Sequence, residues 1–170
     1  GGTSEKDVLS MFKENDRHPA AVLLIRDKKL TWTVSTFVNY PFPVIEILRS
    51  AIPAHPTTIY FAIDQQFIAE HFTQNVIGSI PGSVYPDSFL VVTAHYDHLG
   101  RMGKKTYFPG ANDNASGTSM LLNMAKYYCQ PEHRPKYTMV FIAFAGEEAG
   151  LLGSAQFTEH PLINLNKINF

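Results

Sequence analysis

The chain has 170 residues, a length that fits one domain or one domain with part of another. Its 45% apolar residues suffice for a sizeable core, and its 14 basic and 15 acidic residues give a net charge of −1, so charge offers no reason to expect nucleic acid or an anionic membrane as a partner. The single cysteine excludes an intrachain disulfide, and no apolar run of about 18 residues predicts a membrane span.

Residues 1–65 predict a small β-rich module. Ser4 is a suitable N-cap, and the apolar stripe that follows it favours a helix at the beginning of the module. Short runs rich in apolar residues or threonine predict strands at 20–26, 30–37 and 57–63. The intervening segment 40–50 contains two prolines and fits either a strand or a short helix.

Residues 66–170 predict a second part, in which strands and helices alternate. Apolar runs predict buried strands at 88–94 and 136–145, and helical periodicity predicts helices at 115–130 and 149–160. The first of these helices has one apolar stripe, formed by Met120, Leu121, Met124, Ala125 and Tyr128. This order of elements is typical of an α/β fold with a mostly parallel sheet flanked by helices.

Polar side chains are concentrated where the strands of the second part end. His95 and Asp97 close the first strand, Asp113 precedes a helix, and the adjacent Glu147 and Glu148 follow the second strand. In open α/β sheets, ligands bind beyond the carboxyl ends of the strands, so these loops are expected to converge. Taken singly, the aspartate also fits a helix N-cap and the glutamates also fit a helix start.

Imidazole and carboxylate side chains together favour a zinc site. A carboxylate can bridge two zinc ions about 3.5–4 Å apart, which form a common clamp for hydrolysis. A ligating histidine usually donates its second N–H to a carboxylate, and Asp97 is placed to accept one from His95. Because neighbouring side chains diverge, one glutamate of the pair is expected to be a ligand and the other a general base.

Three segments in this order resemble the co-catalytic dizinc aminopeptidase family of peptidase clan MH. They are "AHYDHLG" (94–100), "PGANDNASG" (109–117) and "AFAGEEAGLLGS" (143–154). A single motif of this kind is weak, whereas three in order are specific. The resemblance implies the N-terminal portion of a zinc-exopeptidase catalytic domain, which hydrolyses N-terminal residues from peptides through a hydroxide held by two zinc ions.

The resemblance also implies a role for each matching residue. His95 would ligate one zinc ion, and Asp97 would be the hydrogen-bond partner of His95 without ligating the metal itself. Asp113 would bridge both ions and precede a cis peptide bond to Asn114. Glu147 would be the general base, and Glu148 would ligate the other zinc ion. The family often has another residue at His98, which is therefore predicted to be a rim residue.

The family uses two further metal ligands, an aspartate on the next strand and a later histidine. The segment 163–170 resembles the approach to that strand. We therefore expect each zinc ion to have two protein ligands here, and this chain alone to be inactive and to bind zinc weakly unless a partner completes the site. Apolar surface left by absent strands predicts self-association through the truncated sheet.

The first part, residues 1–65, is similar at the level of pattern to part of a protease-associated domain, an insert that shapes the substrate cleft in such peptidases. Relatives are commonly secreted or periplasmic, which predicts an extracytoplasmic location. Two other functions fit the same resemblance: a glutaminyl cyclase, which is an acyl transferase, and a non-catalytic, receptor-like binding module. The retained ligands and general base favour the peptidase over both.

Overall fold

The computed structural model describes residues 19–30, 40–63 and 70–169, together with Ser10, Gln66 and Ile68. The chain divides into two compact units, residues 1–69 and 70–170. Ser10 is helical, and Leu30 is not in a strand. The rest of the helix predicted at the beginning of the chain and of the strand predicted at 30–37 lies outside the described residues.

The first unit contains a pair of parallel strands, β1 (Val22–Arg26) and β2 (Val44–Leu48). The ambiguous segment 40–50 is therefore a strand, followed by a short 3₁₀ turn at Arg49–Ala51. The strand predicted at 57–63 is wrong, because these residues pair with no strand in the described part of the chain. Its large side chains are also exposed, so no burial compensates for an unpaired backbone.

The second unit is built on a sheet of three strands, β3 (Val76–Ile80), β4 (Tyr85–His95) and β7 (Tyr137–Phe144). Their order in the sheet is β3–β7–β4. The central strand β7 pairs parallel with β4 and antiparallel with β3, so the α/β fold is confirmed and the sheet is mixed. Two short strands, β5 (Arg101–Met102) and β6 (Thr106–Tyr107), form a hairpin after β4.

Helices cover both faces of this sheet. Side chains of β7 alternate between the two faces, so each face presents apolar side chains against which a helix packs. Helix α1 (Ser116–Tyr128) packs through Leu121 on the face that carries Met139 and Phe141. Helix α2 (Leu152–Glu159) packs through Phe157 on the opposite face, against Val140 and Ile142. The apolar stripe predicted for α1 faces the sheet except at Met120, whose side chain is 60% exposed.

The last described residues reach the outer edge of β4. Ile168 forms a single parallel bridge with Phe89, and the N–H of Asn169 donates to the Phe89 carbonyl oxygen at 2.9 Å. In the described part of the chain, no helix has the length and apolar character needed to cross a membrane. The sheet, its two helices and the loops at the carboxyl end of β4 and β7 are the elements that position the site.

Replacing the completely buried Ile142 with alanine should destabilise the second unit by about 2–5 kcal/mol, because it leaves a cavity between the sheet and α2. Denaturant unfolding measures the change. The matched variant Leu162→Ala removes a side chain that is 75% exposed and should change the free energy of unfolding little. Equal losses in the two variants would show that the core is not centred on β7.

Candidate metal centre

The site lies where the parallel strands β4 and β7 end side by side. His95 is opposite Phe144 in the register, so the loops that follow the two strands leave the sheet together. The main-chain N–H of Tyr96 extends this pairing by donating to the Phe144 carbonyl oxygen at 3.0 Å. The predicted convergence at the carboxyl end of the strands is therefore present.

The Asp97 carboxylate connects the two loops. One oxygen accepts the main-chain N–H of Glu147 and the other accepts that of Glu148, each at 3.1 Å. Gly146 precedes the pair with a φ of 66°, a left-handed conformation that glycine adopts without steric cost. These contacts fix where the glutamate side chains begin.

The His95 ring is oriented by the main chain. Its Nδ1 lies 3.1 Å from the main-chain carbonyl oxygen of Asp97, and the carboxylate of Asp97 is farther away, at 3.7 Å. The ring N–H therefore donates to the carbonyl, and not to the carboxylate that the sequence suggested. The other ring nitrogen, Nε2, lies 3.0 Å from Asp113 Oδ1, and in the neutral ring with the hydrogen on Nδ1 it carries the lone pair.

Asp113 is held at the beginning of α1 by a turn with non-helical backbone angles. The predicted cis peptide bond between Asp113 and Asn114 is present. The Asn114 side chain accepts the N–H of Gly117 at 3.1 Å, and a Cβ at residue 117 would lie 2.2 Å from that oxygen. Thr118 ties α1 to the strand end by donating to the His95 carbonyl oxygen at 2.8 Å.

The two glutamates point to different partners, as their adjacency predicts. Glu147 Oε2 lies 3.8 Å from His95 Nε2, and Glu148 Oε1 lies 2.9 Å from His98 Nδ1. A cavity of about 280 Å³ is lined by His95, Asn114 and Glu147, with apolar walls from Phe144 and neighbouring residues. Glu147 is thus the carboxylate that faces open space beside the histidine.

The five predicted site residues come together, and His98 joins them. Ligand atoms of His98, Asp113 and Glu148 all lie within 4.8 Å of one another, and Asp113 also contacts His95. His98 Nδ1 and Glu148 Oε1 are buried and have no hydrogen-bond partner among the described residues. Nitrogen and oxygen donors with unsatisfied lone pairs fit a zinc ion.

Asn75 is a supporting residue that sequence reasoning missed. Its side chain accepts the N–H of Ala145 at 3.1 Å and donates to the Gly153 carbonyl oxygen at 2.8 Å. It therefore clamps the end of β7 to the start of α2, on either side of the glutamate pair. A lone asparagine before an apolar strand gives no sequence signal for such a role.

Residues 75–170 match the model of peptidase family M28. The match covers more than half of the chain, and it contains all six residues of the site. The chain belongs to peptidase family M28. The resemblance to the aminopeptidase family that the three sequence motifs predicted is confirmed.

Relatives in the family are named as zinc metalloproteases or aminopeptidases. A probable zinc metalloprotease of Pyricularia oryzae is 42% identical over 83 residues, covering 48% of this chain and 16% of that protein. Aminopeptidase YwaD of Bacillus subtilis is 40% identical over 89 residues, covering 52% and 18%. A probable zinc metalloprotease of Pyrenophora tritici-repentis is 32% identical over 142 residues, covering 81% and 28%.

A solved structure also matches this M28 chain. The zinc aminopeptidase BSAP from Bacillus subtilis has 38% sequence identity and a TM-score of 0.44, covering 55% of this chain and 22% of that one. The chain spans less than a third of the length of each of these relatives.

Replacing Asp97 with alanine should weaken zinc binding about 10- to 100-fold, because the two N–H groups that set the glutamate positions lose their acceptor. Asp97→Asn keeps one acceptor oxygen, so its zinc affinity should lie between that of the parent chain and that of Asp97→Ala. Calorimetric zinc titration gives the affinities, with Asp87→Ala, at an exposed aspartate outside the site, as control. Unchanged affinity in Asp97→Ala would show that this bridge does not position the ligands.

Proposed function

We propose that this chain forms part of a zinc-dependent exopeptidase that removes N-terminal residues from peptides. The observation that carries the proposal is the convergence of His95, Asp113 and Glu148, with Glu147 left facing a cavity. Membership of peptidase family M28 supports a peptide as substrate. The names of the relatives support zinc as the metal and the N-terminus as the point of action.

Two zinc ions would share Asp113. His95 Nε2 and Asp113 offer ligands to one ion, and Asp113 and Glu148 offer ligands to the other. Zinc at such a site polarises the scissile carbonyl and lowers the pKa of a bound water. The Asp97 carbonyl favours the required tautomer of His95, in which Nδ1–H donates to that carbonyl and Nε2, beside Asp113, would ligate the ion.

Glu147 is the proton acceptor in this proposal. Its main-chain N–H is anchored by Asp97, while its side chain is 37% exposed and lies beside His95 at the wall of the cavity. A carboxylate in this place takes a proton from the attacking water and returns it to the leaving amine. Glu148, at 18% exposed, is less accessible, which suits a ligand better than a base.

The protease-associated character of residues 1–65 and the extracytoplasmic location belong to the same proposal. Both follow from the resemblance to zinc exopeptidases, and self-association through the sheet is a further expectation from it. Cell fractionation followed by immunoblotting tests the location. A signal confined to the cytoplasmic fraction would contradict an extracytoplasmic location.

Replacing Asp113 with alanine should weaken zinc binding by more than about 10-fold. The reason is that this carboxylate lies close both to His95 and to Glu148, the ligands proposed for the two ions. Calorimetric titration of the chain measures stoichiometry and affinity. Asp87→Ala, with a side chain that is 89% exposed, is the control and should bind zinc as the parent chain does. Zinc binding that survives Asp113→Ala would rule out this centre.

Where a partner completes the site and peptide is turned over, replacing Glu147 with glutamine should lower kcat by about 10²- to 10⁴-fold while zinc stoichiometry stays the same, because glutamine cannot accept the proton. Turnover is measured on a peptide with a free N-terminus and on its acetylated form, which should not be cleaved. Glu159→Gln, at the end of α2, is the matched control. A glutaminyl peptide that yields a cyclised terminus and no free glutamine would indicate cyclase activity.

A further inference from the structure

The His98 ring is held in one tautomer by the main chain. Its Nε2 lies 3.0 Å from the carbonyl oxygen of Phe108, and a carbonyl oxygen only accepts. Nε2 therefore carries the hydrogen, and in the neutral ring Nδ1 carries a lone pair. This is the arrangement by which ligating histidines are usually oriented, with one nitrogen on a carbonyl and the other on a metal.

The lone pair of His98 is directed into a buried place that already holds a carboxylate. Nδ1 lies 2.9 Å from Glu148 Oε1, and the two side chains are 23% and 18% exposed. Neither atom has a hydrogen-bond partner among the described residues, despite this short separation. Two electron-rich atoms so close together, away from water, are stabilised by a positive charge, which is either a proton or a metal ion.

The geometry suits a metal ion better than a proton. A proton shared between the two atoms would need the oxygen close to the ring N–H axis, and the pair lacks hydrogen-bond geometry. Two ligands about 2.0–2.1 Å from a zinc ion lie about 2.9–3.4 Å apart for angles between 90° and the tetrahedral value. The observed 2.9 Å lies at the lower end of that range.

We propose that His98, through Nδ1, is a direct ligand of the metal ion bound by Asp113 and Glu148. The proposal rests on the metal site of the proposed function and adds a ligand to it. With His98 this chain offers the ion three ligand atoms, from His98, Asp113 and Glu148. The proposal replaces the assignment of His98 as a rim residue and raises the number of ligands that this chain offers to this ion from two to three.

The surroundings of His98 preorganise it for this role. Phe108 fixes the ring through its carbonyl, and Gly110 leaves room for the ring, since a Cβ at residue 110 would lie 2.8 Å from His98 Cδ2. Gly110 has φ −97° and ψ 15°, angles that alanine also adopts. Gly110→Ala is therefore expected to displace the ring without straining its own backbone.

The direct test is NMR of the chain with isotope-labelled histidine rings, loaded with a spin-active cadmium isotope in place of zinc. The ring Nδ1 signal of His98 should be split by scalar coupling to the bound cadmium, and the Nε2 signal of His95 should be split as well. Cadmium bound with His95 coupled and His98 unsplit would overturn the inference and leave the proposed function standing. Failure of the chain to bind cadmium or zinc at all would overturn both.

Affinity measurements separate ligation by His98 from a general effect on folding. His98→Ala should weaken zinc binding by more than about 10-fold, while the free energy of unfolding without metal changes little. Gly110→Ala crowds the His98 ring and the Asp113 carbonyl oxygen, and it should weaken zinc binding too. His160→Ala, an exposed histidine at the end of α2, is the matched control and should bind zinc unchanged. Parental affinity in His98→Ala would contradict the proposal.

Discussion

The bridge from the Asp97 carboxylate to the main-chain N–H groups of Glu147 and Glu148 is the contact on which the site depends. It fastens the loop after β4 to the loop after β7. The Asp97 carboxylate thereby fixes the main-chain positions from which the side chains of Glu147 and Glu148 extend. The parallel pairing of the two strands brings the loops within reach, and the buried faces of β7 keep that pairing in place. Ligand geometry is thereby coupled to the core of the second unit.

The fold was predictable where the signal is local. The strand ending at His95 and the strand 137–144 are apolar runs, and the helix Ser116–Tyr128 has an apolar stripe. The structure confirms these three elements and a shorter form of the second predicted helix, Leu152–Glu159. The segment 57–63 is as rich in β-forming residues, but strand formation requires a partner that no local pattern specifies. The antiparallel strand β3 was not distinguished from its loosely alternating surroundings, because its pairing with β7 spans a long stretch of sequence.

The sequence predicted which side chains come together at this edge of the sheet, but it did not predict all of their contacts. Residue type and position at strand ends indicated the aspartates and glutamates, because few other roles gather such groups at one edge. The partner of His95 Nδ1 is a main-chain carbonyl, which no side-chain pattern reveals. His98 acquires its significance only from the direction of its ring, and that direction depends on the hairpin β5–β6 and the turn after it.

The proposed function places Asp113 between two metal ions bound by this chain. A crystal of the zinc-soaked protein, measured on both sides of the zinc absorption edge, tests it most directly. We expect two anomalous peaks, one beside His95 and one beside Glu148, with Asp113 in contact with both. Peaks located elsewhere, or an ordered site without a peak, would contradict it.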